Sequence, residues 1–231
     1  MSIQKVPAKN TILFVWLNQY AGILFKTPSK TIVIDPVDVK AKKFQNVDAI
    51  LITHEHYDHL DPPLLSEIQK ATNCVIIADA TSTKKLQNTI PSNKLKETKP
   101  GDETKIGAVS VKTGKCNHPA HTPVTYIITS EDNVKLYHTS DSLPFPELAL
   151  MGQKEKFDIV FCTVGIAPGA SPYTGFEIAR LTKPEMAIPY HTASYESQME
   201  FAKLLKSLYG TDCLIPEQNK VYQVTKKEVE K

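Results

Sequence analysis

The chain has 231 residues, a formal net charge of +2 and 41% hydrophobic residues, which is the composition of an ordinary globular protein. This balance of charge excludes a global attraction to nucleic acid or to anionic membranes. Arg180 is the only arginine, so recognition of phosphates by paired guanidinium N–H groups is almost absent. We therefore expect a small-molecule substrate and no membrane association. Nucleic acid is disfavoured as a partner, and self-association into a homo-oligomer stays open.

The cysteines and the first apolar run indicate the cellular compartment. Cys74 and Cys162 lie inside apolar runs, and the four cysteines form no C-x-x-C pair. We expect at least these two to be buried thiols in a reducing compartment. Residues 11–17 are too few to cross a bilayer and lack the features of a signal peptide. A cytoplasmic location is the resulting expectation.

Short apolar runs separated by Pro, Ser, Lys and Asn predict four successive strands at the start of the chain. These strands are residues 12–17, 22–25, 31–34 and 49–53. Asp61 then offers an N-cap, and Pro62 and Pro63 suit the first turn of a helix. The sequence therefore predicts a helix that follows the histidine-rich segment, residues 54–59.

Strands and helices alternate along the rest of the chain. The predicted strands are residues 74–78, 109–111, 125–129, 134–137, 159–163 and 186–189, and helices are predicted near 175–181 and from about 194 to 209. In the last helix, Ser197 and Glu200 predict a capping box and Gly210 a stop. Its apolar stripe, predicted to be core, is Phe201, Leu204, Leu205 and Leu208. Residues 226–231 are predicted to be a solvated tail, and residues 1–231 to form one domain.

Residues 54–59 read His-Glu-His-Tyr-Asp-His and directly follow the fourth predicted strand. Strand side chains alternate, so His54 and His56 would project from one side and meet one cation. A following turn would bring Asp58 and His59 to a neighbouring position, where they meet a second cation. Two divalent ions about 3.5–4 Å apart lower the pKa of a shared water toward about 7, which supplies hydroxide for hydrolysis.

The other histidines lie at or near the ends of predicted strands, and none lies on a predicted helix face. They are His118, His121, His138 and His191. Asp141 follows the strand at 134–137 and His191 follows the strand at 186–189, so both would open onto one rim of the sheets. Loops at strand ends commonly carry functional sites. A surface turn that is only rich in histidine is the weaker alternative, because such clusters are rare among structural histidines.

Four segments resemble sequence blocks of the metallo-β-lactamase superfamily, in the order that the family has them. They are residues 31–36, 48–61, 136–142 and 183–191. Within the superfamily, the chain is similar to a branch of small metal-dependent hydrolases that includes ascorbate-6-phosphate lactonase-like and phospholipase D-like members. The resemblance implies an α/β fold, the four-layer αββα sandwich of the metallo-β-lactamase type, and a binuclear metal-dependent hydrolase.

The resemblance also implies a set of metal ligands. His54, His56 and His118 would bind one divalent ion, and Asp58, His59 and His191 a second ion, with Asp141 as the bridge. Both ions are expected to be zinc, with manganese or iron as alternatives. Asp58 would also act in catalysis by orienting the hydroxide. Asp35 would be a buried carboxylate that supports the metal-binding loop, and His138 would support ligands rather than bind metal.

Two histidines compete for the third ligand position of the first ion. His118 follows the strand at 109–111 at the distance usual in the family, whereas His121 lies in a segment similar to the Gly-His-Thr-Pro turn of other branches. We favour His118 as the ligand. His121 then remains a candidate that faces substrate, and either His121 or a metal-bound water would protonate the leaving group.

The chain also departs from the family pattern. Ser140 stands where relatives carry glycine before the bridging aspartate. Gln19 stands where many relatives carry histidine, which makes it the predicted substrate-side residue. Residues 142–157 and 166–174 are predicted to be pocket-forming loops without a readable recognition code.

The leading hypothesis is a hydrolase in which hydroxide that bridges two metal ions attacks an ester, lactone, phosphodiester or amide. A metal-dependent nuclease or phosphodiesterase is a second hypothesis, which the shortage of arginine disfavours. A redox protein is a third. The diiron flavoproteins of this superfamily carry Glu at the second ligand position, where this chain has His56. The last hypothesis is a non-catalytic module that keeps the fold and one structural metal.

Overall fold

The computed structural model describes residues 3–226, so the predicted tail lies outside the described residues except for Lys226. Two seven-stranded sheets form its centre. The first sheet contains, in spatial order, β14 (Val221–Thr225), β1 (Thr11–Trp16), β2 (Ile23–Lys26), β3 (Thr31–Ile34), β4 (Ala49–Ile52), β5 (Val75–Ala78) and β6 (Leu95–Glu97). Strands β3 to β6 are parallel, whereas β14, β1, β2 and β3 pair antiparallel.

The second sheet repeats this mixture of parallel and antiparallel strands. It contains, in spatial order, β13 (Asp212–Cys213), β12 (Met186–Tyr190), β11 (Ile159–Thr163), β10 (Lys135–His138), β9 (Val124–Thr129), β8 (Val109–Lys115) and β7 (Glu103–Ile106). Strands β10 to β13 are parallel. Strands β7 to β10 pair antiparallel.

Among the described residues, five α-helices connect and cover the sheets. They are α1 (Pro62–Thr72), α2 (Ala80–Leu86), α3 (Glu147–Glu155), α4 (Pro172–Thr182) and α5 (Tyr195–Leu205). Within residues 3–226, none of the helices combines the length and the apolar character that a membrane span requires.

The strands predicted as continuous apolar runs are buried on both faces, because each sheet lies between two other layers. Phe14 and Leu51 of the first sheet pack against Phe161 of the second in one core cluster, and the rings of Phe14 and Phe161 meet edge to face at 5.2 Å. Leu13 and Val15 point to the opposite face of β1 and belong to a separate cluster. This alternation follows from the two-residue repeat of a strand.

The outer faces of the two sheets are covered by helices. Leu65 and Ile68 of α1 pack on the first sheet, and Ile178 of α4 and Phe201 of α5 pack on the second. Three core clusters therefore separate four layers, in the order helix, sheet, sheet, helix. The four-layer αββα sandwich predicted for the chain is confirmed.

Helices α1 and α5 both begin where predicted, but the residue that caps α5 is not the predicted one. The Asp61 side chain accepts the Leu64 N–H at 3.1 Å. The capping box predicted at Ser197 and Glu200 is wrong, because the side chain of Ser194 accepts the Ser197 N–H at 3.1 Å and caps α5 three residues earlier. The helix ends at Leu205, so the prediction that it continues to residue 209 is also wrong.

A second correction concerns residues 142–157, which were predicted to be a loop and instead contain α3. Pro144 and Pro146 precede this helix, and Leu148 is the only large apolar residue that it buries, so no apolar stripe marked it. The burial predicted for Cys74 and Cys162 is confirmed, since both are buried free thiols.

Candidate metal centre

The candidate ligands lie where strands end, at one edge shared by the two sheets. Residues 54–59 follow β4 in the first sheet, whereas His118, Asp141 and His191 follow β8, β10 and β12 in the second. Strands β10, β11 and β12 run parallel, so the chain leaves β10 and β12 at the same edge of the sheet, with β11 between them. Both sheets contribute to one site.

The first group consists of His54, His56 and His118, whose ligand atoms lie within 4.8 Å of one another. Nε2 of His54 is 3.1 Å from Nδ1 of His56, and Nε2 of His118 is 3.1 Å from the same Nδ1. Burial and the neighbouring His59 lower the pKa of His54. The imidazole is therefore neutral, which is the form that binds a metal ion.

The second group consists of Asp58, His59, Asp141 and His191, and all four side chains are buried. Nε2 of His59 and Nδ1 of His191 each lie 3.0 Å from Oδ1 of Asp141. Nε2 of His191 is 3.5 Å from Oδ2 of Asp58. Burial raises the pKa of Asp141, but His59 and His191 outweigh it and hold that pKa well below its usual value.

Asp141 belongs to both groups through its two oxygen atoms. Oδ1 faces His59 and His191 of the second group, as described above. Oδ2 lies 3.8 Å from Nε2 of His54 and 3.7 Å from Nε2 of His118, which belong to the first. The carboxylate therefore stands between the groups, with one oxygen toward each, which is the arrangement of a bridging ligand.

The residues present fit divalent cations. Oδ1 of Asp141, Nε2 of His59 and both ring nitrogens of His191 are buried without any hydrogen bond of acceptable geometry. Buried polar atoms without a partner are costly and rare. A cation in the second group would satisfy Oδ1 of Asp141, Nε2 of His59 and one ring nitrogen of His191. Imidazole nitrogens with carboxylate oxygens are ligands that zinc prefers.

Asp35 fixes the orientation of His59. Its Oδ2 lies 2.7 Å from Nδ1 of His59 and accepts the Thr53 hydroxyl at 2.6 Å. Its Oδ1 accepts the Thr53 backbone N–H at 2.8 Å. The proton of His59 is thereby held on Nδ1, which leaves Nε2 free to bind a cation. Asp35 thus contacts a candidate ligand without belonging to either group, and its supporting role stays a prediction.

His138 lies outside both groups. Its Nε2 donates to the backbone oxygen of Ala21 at 2.9 Å, and its Nδ1 accepts the Ser140 N–H at 3.3 Å. Burial lowers the pKa of His138 to about 4, so the ring is neutral near pH 7. These contacts hold the turn that carries Asp141.

Ser140, which stands where relatives carry glycine, has a backbone conformation that favours glycine. Its φ of 53° is left-handed, the conformation that favours glycine. The Ser140 carbonyl oxygen accepts the hydroxyls of Thr163 and Tyr190, and its own hydroxyl lies 3.4 Å from Nδ1 of His54. Sequence reasoning missed Thr163 and Tyr190, since hydroxyls that bond a backbone oxygen leave no signal in a motif.

His118 rather than His121 lies in the first group. The His121 side chain is 80% exposed, and its Nδ1 is 3.4 Å from Oε1 of Glu55. The His121 backbone N–H also donates to this oxygen at 3.0 Å. Glu55, to which sequence reasoning gave no role, therefore orients His121. Both residues line a cleft that His56 also lines.

Gln19 is exposed in the turn between β1 and β2, and none of the contacts found within residues 3–226 joins it to either group. Its neighbour Tyr20 approaches the site instead. The ring of Tyr20 lies 6.2 Å from that of His191 and 6.5 Å from that of Tyr57, measured between centroids. The substrate-side role of Gln19 stays a prediction.

Known proteins resemble the chain along most of its length. The family model described as a beta-lactamase superfamily domain matches residues 21–215, a range that includes all seven candidate ligands. A UPF0173 protein from Pyrococcus abyssi is 32% identical over 192 residues, which cover 78% of this chain and 83% of that protein. A UPF0173 metal-dependent hydrolase from Sulfurisphaera tokodaii is 28% identical over 192 residues, 78% of this chain and 84% of that protein.

A solved structure supports the fold independently. Igni18, a metallo hydrolase from Ignicoccus hospitalis, matches with a TM-score of 0.81 over 94% of this chain and 100% of that chain. The two sequences are 18% identical, so this likeness concerns the fold alone.

Proposed function

The chain belongs to the beta-lactamase superfamily domain family, and on that premise we propose that it is a metal-dependent hydrolase. The observation that carries the proposal is Asp141, whose two oxygens each face a different group of candidate ligands. The name of the relative from Sulfurisphaera tokodaii supports the same reaction class.

We infer two cation sites from the two groups. His54, His56 and His118 would hold one ion, Asp58, His59 and His191 the other, and Asp141 would belong to both. Zinc is the ion that this set of nitrogen and oxygen ligands favours, with manganese or iron as alternatives. When bound, the ions would supply hydroxide at neutral pH by lowering the pKa of a water that they share.

The chain's own residues would then orient the reactants. Asp58 would accept a hydrogen bond from the attacking water and so direct it toward the substrate. His121 lines the cleft beside His56, and the carboxylate of Glu55 orients its ring. His121 would donate a proton to the leaving group. The substrate classes that this chemistry serves are esters, lactones, phosphodiesters and amides.

Metal analysis and a substrate screen test the proposal together. We expect purified protein to contain, or to take up, close to two equivalents of zinc, manganese or iron per chain. With zinc or manganese added, a screen of esters, lactones and phosphodiesters should find at least one substrate. Well-folded protein that takes up no metal would disprove the proposal.

The variant His56→Ala removes the residue whose Nδ1 lies between His54 and His118. We expect the protein to remain folded, to bind about one equivalent of metal instead of two, and to lose hydrolysis at least about 100-fold. Elemental analysis and initial rates measure these effects. Full activity in His56→Ala would contradict the mechanism.

His121→Ala is the matched comparison, because His121 lines the same cleft but belongs to neither group. We expect it to keep both metal equivalents. Its loss of rate should be about 100-fold for poor leaving groups that need a proton, and small for 4-nitrophenyl esters, which do not. Equal losses for both kinds of leaving group would reject His121 as the proton donor.

A further inference from the structure

A cleft of about 630 Å³ opens beside the first group of ligands. His56 forms part of its wall, so the cleft reaches the candidate metal centre. Leu60, Pro62 and Pro119 give the wall an apolar surface. Cavities of about 300–1,000 Å³ hold small organic molecules, so the cleft suits a small substrate with an apolar body.

Lys85, near the end of α2, gives this cleft a positive charge. Its Nζ donates to the backbone oxygen of Glu55 at 3.1 Å, and within residues 3–226 it forms no ion pair. A neutral oxygen therefore holds the ammonium group in place without cancelling its charge. Because Glu55 lies between His54 and His56 in the chain, the charge is held close to the first group.

The acidic residue of the cleft wall, Glu55, turns one carboxylate oxygen toward His121 and forms no ion pair with Lys85 within residues 3–226. The Glu55 side chain is only 7% exposed, and its Oε1 pairs with the ring of His121 and accepts the His121 N–H. The carboxylate thus faces His121, whereas Lys85 contacts the Glu55 main chain. The Lys85 ammonium remains available to a negatively charged ligand.

We propose that the cleft binds a substrate with an apolar body and an anionic oxygen group, a carboxylate or a phosphate, and that Lys85 binds this anionic group. The ammonium group is a compact point charge that can receive either anion. The bond to be cleaved then lies toward His56. That the bound molecule is a substrate rests on the proposed hydrolase function, whereas the anion site itself does not.

Calorimetric titration of the metal-loaded protein with adipate and hexanoate tests the anion site. Both probes have six carbons and no bond that a hydrolase can cleave, and they differ by one carboxylate. We expect adipate to bind about three- to tenfold more tightly, as one additional charged contact predicts. The variant Lys85→Met should abolish this preference, and Lys85→Arg should retain most of it.

Lys84→Met is the matched control. Lys84 is the adjacent exposed lysine of α2 and does not line the cleft, so its variant should keep the preference for adipate. The proposal would be overturned if the preference for adipate survived in Lys85→Met, or if the unaltered protein showed no such preference. 5-Phosphonopentanoate replaces one carboxylate of adipate by a phosphonate, and the probe that loses more affinity in Lys85→Met carries the anion that Lys85 prefers.

The titration separates this proposal from the proposed function, because binding of the probes requires no turnover. Protein with a Lys85-dependent preference but no hydrolysis would contradict the hydrolase and support the anion site. A working hydrolase whose preference for adipate does not depend on Lys85 would support the proposed function and contradict the anion site.

Discussion

Asp35 and His59 act as one unit in the second group. The carboxylate fixes the tautomer of the imidazole by accepting a hydrogen bond from the Nδ1–H, so the ligand atom Nε2 depends on a residue that would not touch the metal. Asp35 has a φ of 44°, a left-handed conformation that aspartate and asparagine tolerate better than most residues. A substitution by asparagine therefore tests the hydrogen bond without changing the backbone.

We predict that Asp35→Asn lowers the metal affinity of the second group by about 10- to 100-fold, the usual effect of losing such an orienting partner. An amide NH₂ facing Nδ1 would move the proton of His59 to Nε2 and block the ligand atom. Competition with a metal chelator measures the affinity. Asp38→Asn is the control, since Asp38 is exposed and also has a left-handed φ, and equal affinities in the two variants would refute the role of Asp35.

At the scale of elements, strands buried in the sandwich could be predicted, because four of them are continuous apolar runs in the first quarter of the chain. The edge strands β6, β7 and β14 could not, since they are largely exposed and carry no apolar run. Helix α2 has only seven residues and buries Ser82 and Leu86 alone among them. Its N-cap, Asp79, was the one available signal.

Helix α1 follows the histidine segment, and its N-cap provides a prediction at this scale. Asp61→Ala should lower the free energy of unfolding by about 1 kcal/mol, or the melting temperature by about 2–4 °C. Asp61→Asn should keep most of the stability, because its side-chain oxygen can still accept the Leu64 N–H. Thermal unfolding followed by circular dichroism measures both, and an alanine variant as stable as the parent would contradict the assignment.

At the scale of the molecule, the candidate metal ligands could be predicted from the sequence, whereas the cleft beside them could not. The seven candidate ligands are residue types with a strong chemical signature at strand ends, and the structure brings all of them together in two groups. The cleft could not be predicted, because Glu55, Lys85 and Pro119 come from three separate segments. Their proximity depends on how α2 and the turn after β8 pack, which no local pattern encodes.

Removal of metal should destabilise the whole molecule. If free metal is about 1,000 times its dissociation constant, binding stabilises the folded state by about 4 kcal/mol. A chelator should then lower the melting temperature by about 8–16 °C for a chain of this size. Scanning calorimetry with and without the chelator measures the shift. His56→Ala should show a smaller shift, and a chelator without effect on loaded protein would rule out this coupling.

Each group takes side chains from both sheets: His54 and His56 with His118, and Asp58 and His59 with His191. A bound cation would therefore cross-link the two halves of the sandwich reversibly, and the sheets could separate only after a ligand had been released. Unfolding would become slower as well as less favourable. Where a protease removes chains that open transiently, the lifetime of the protein would follow the supply of metal, so scarcity of the ion would lower its abundance as well as its activity.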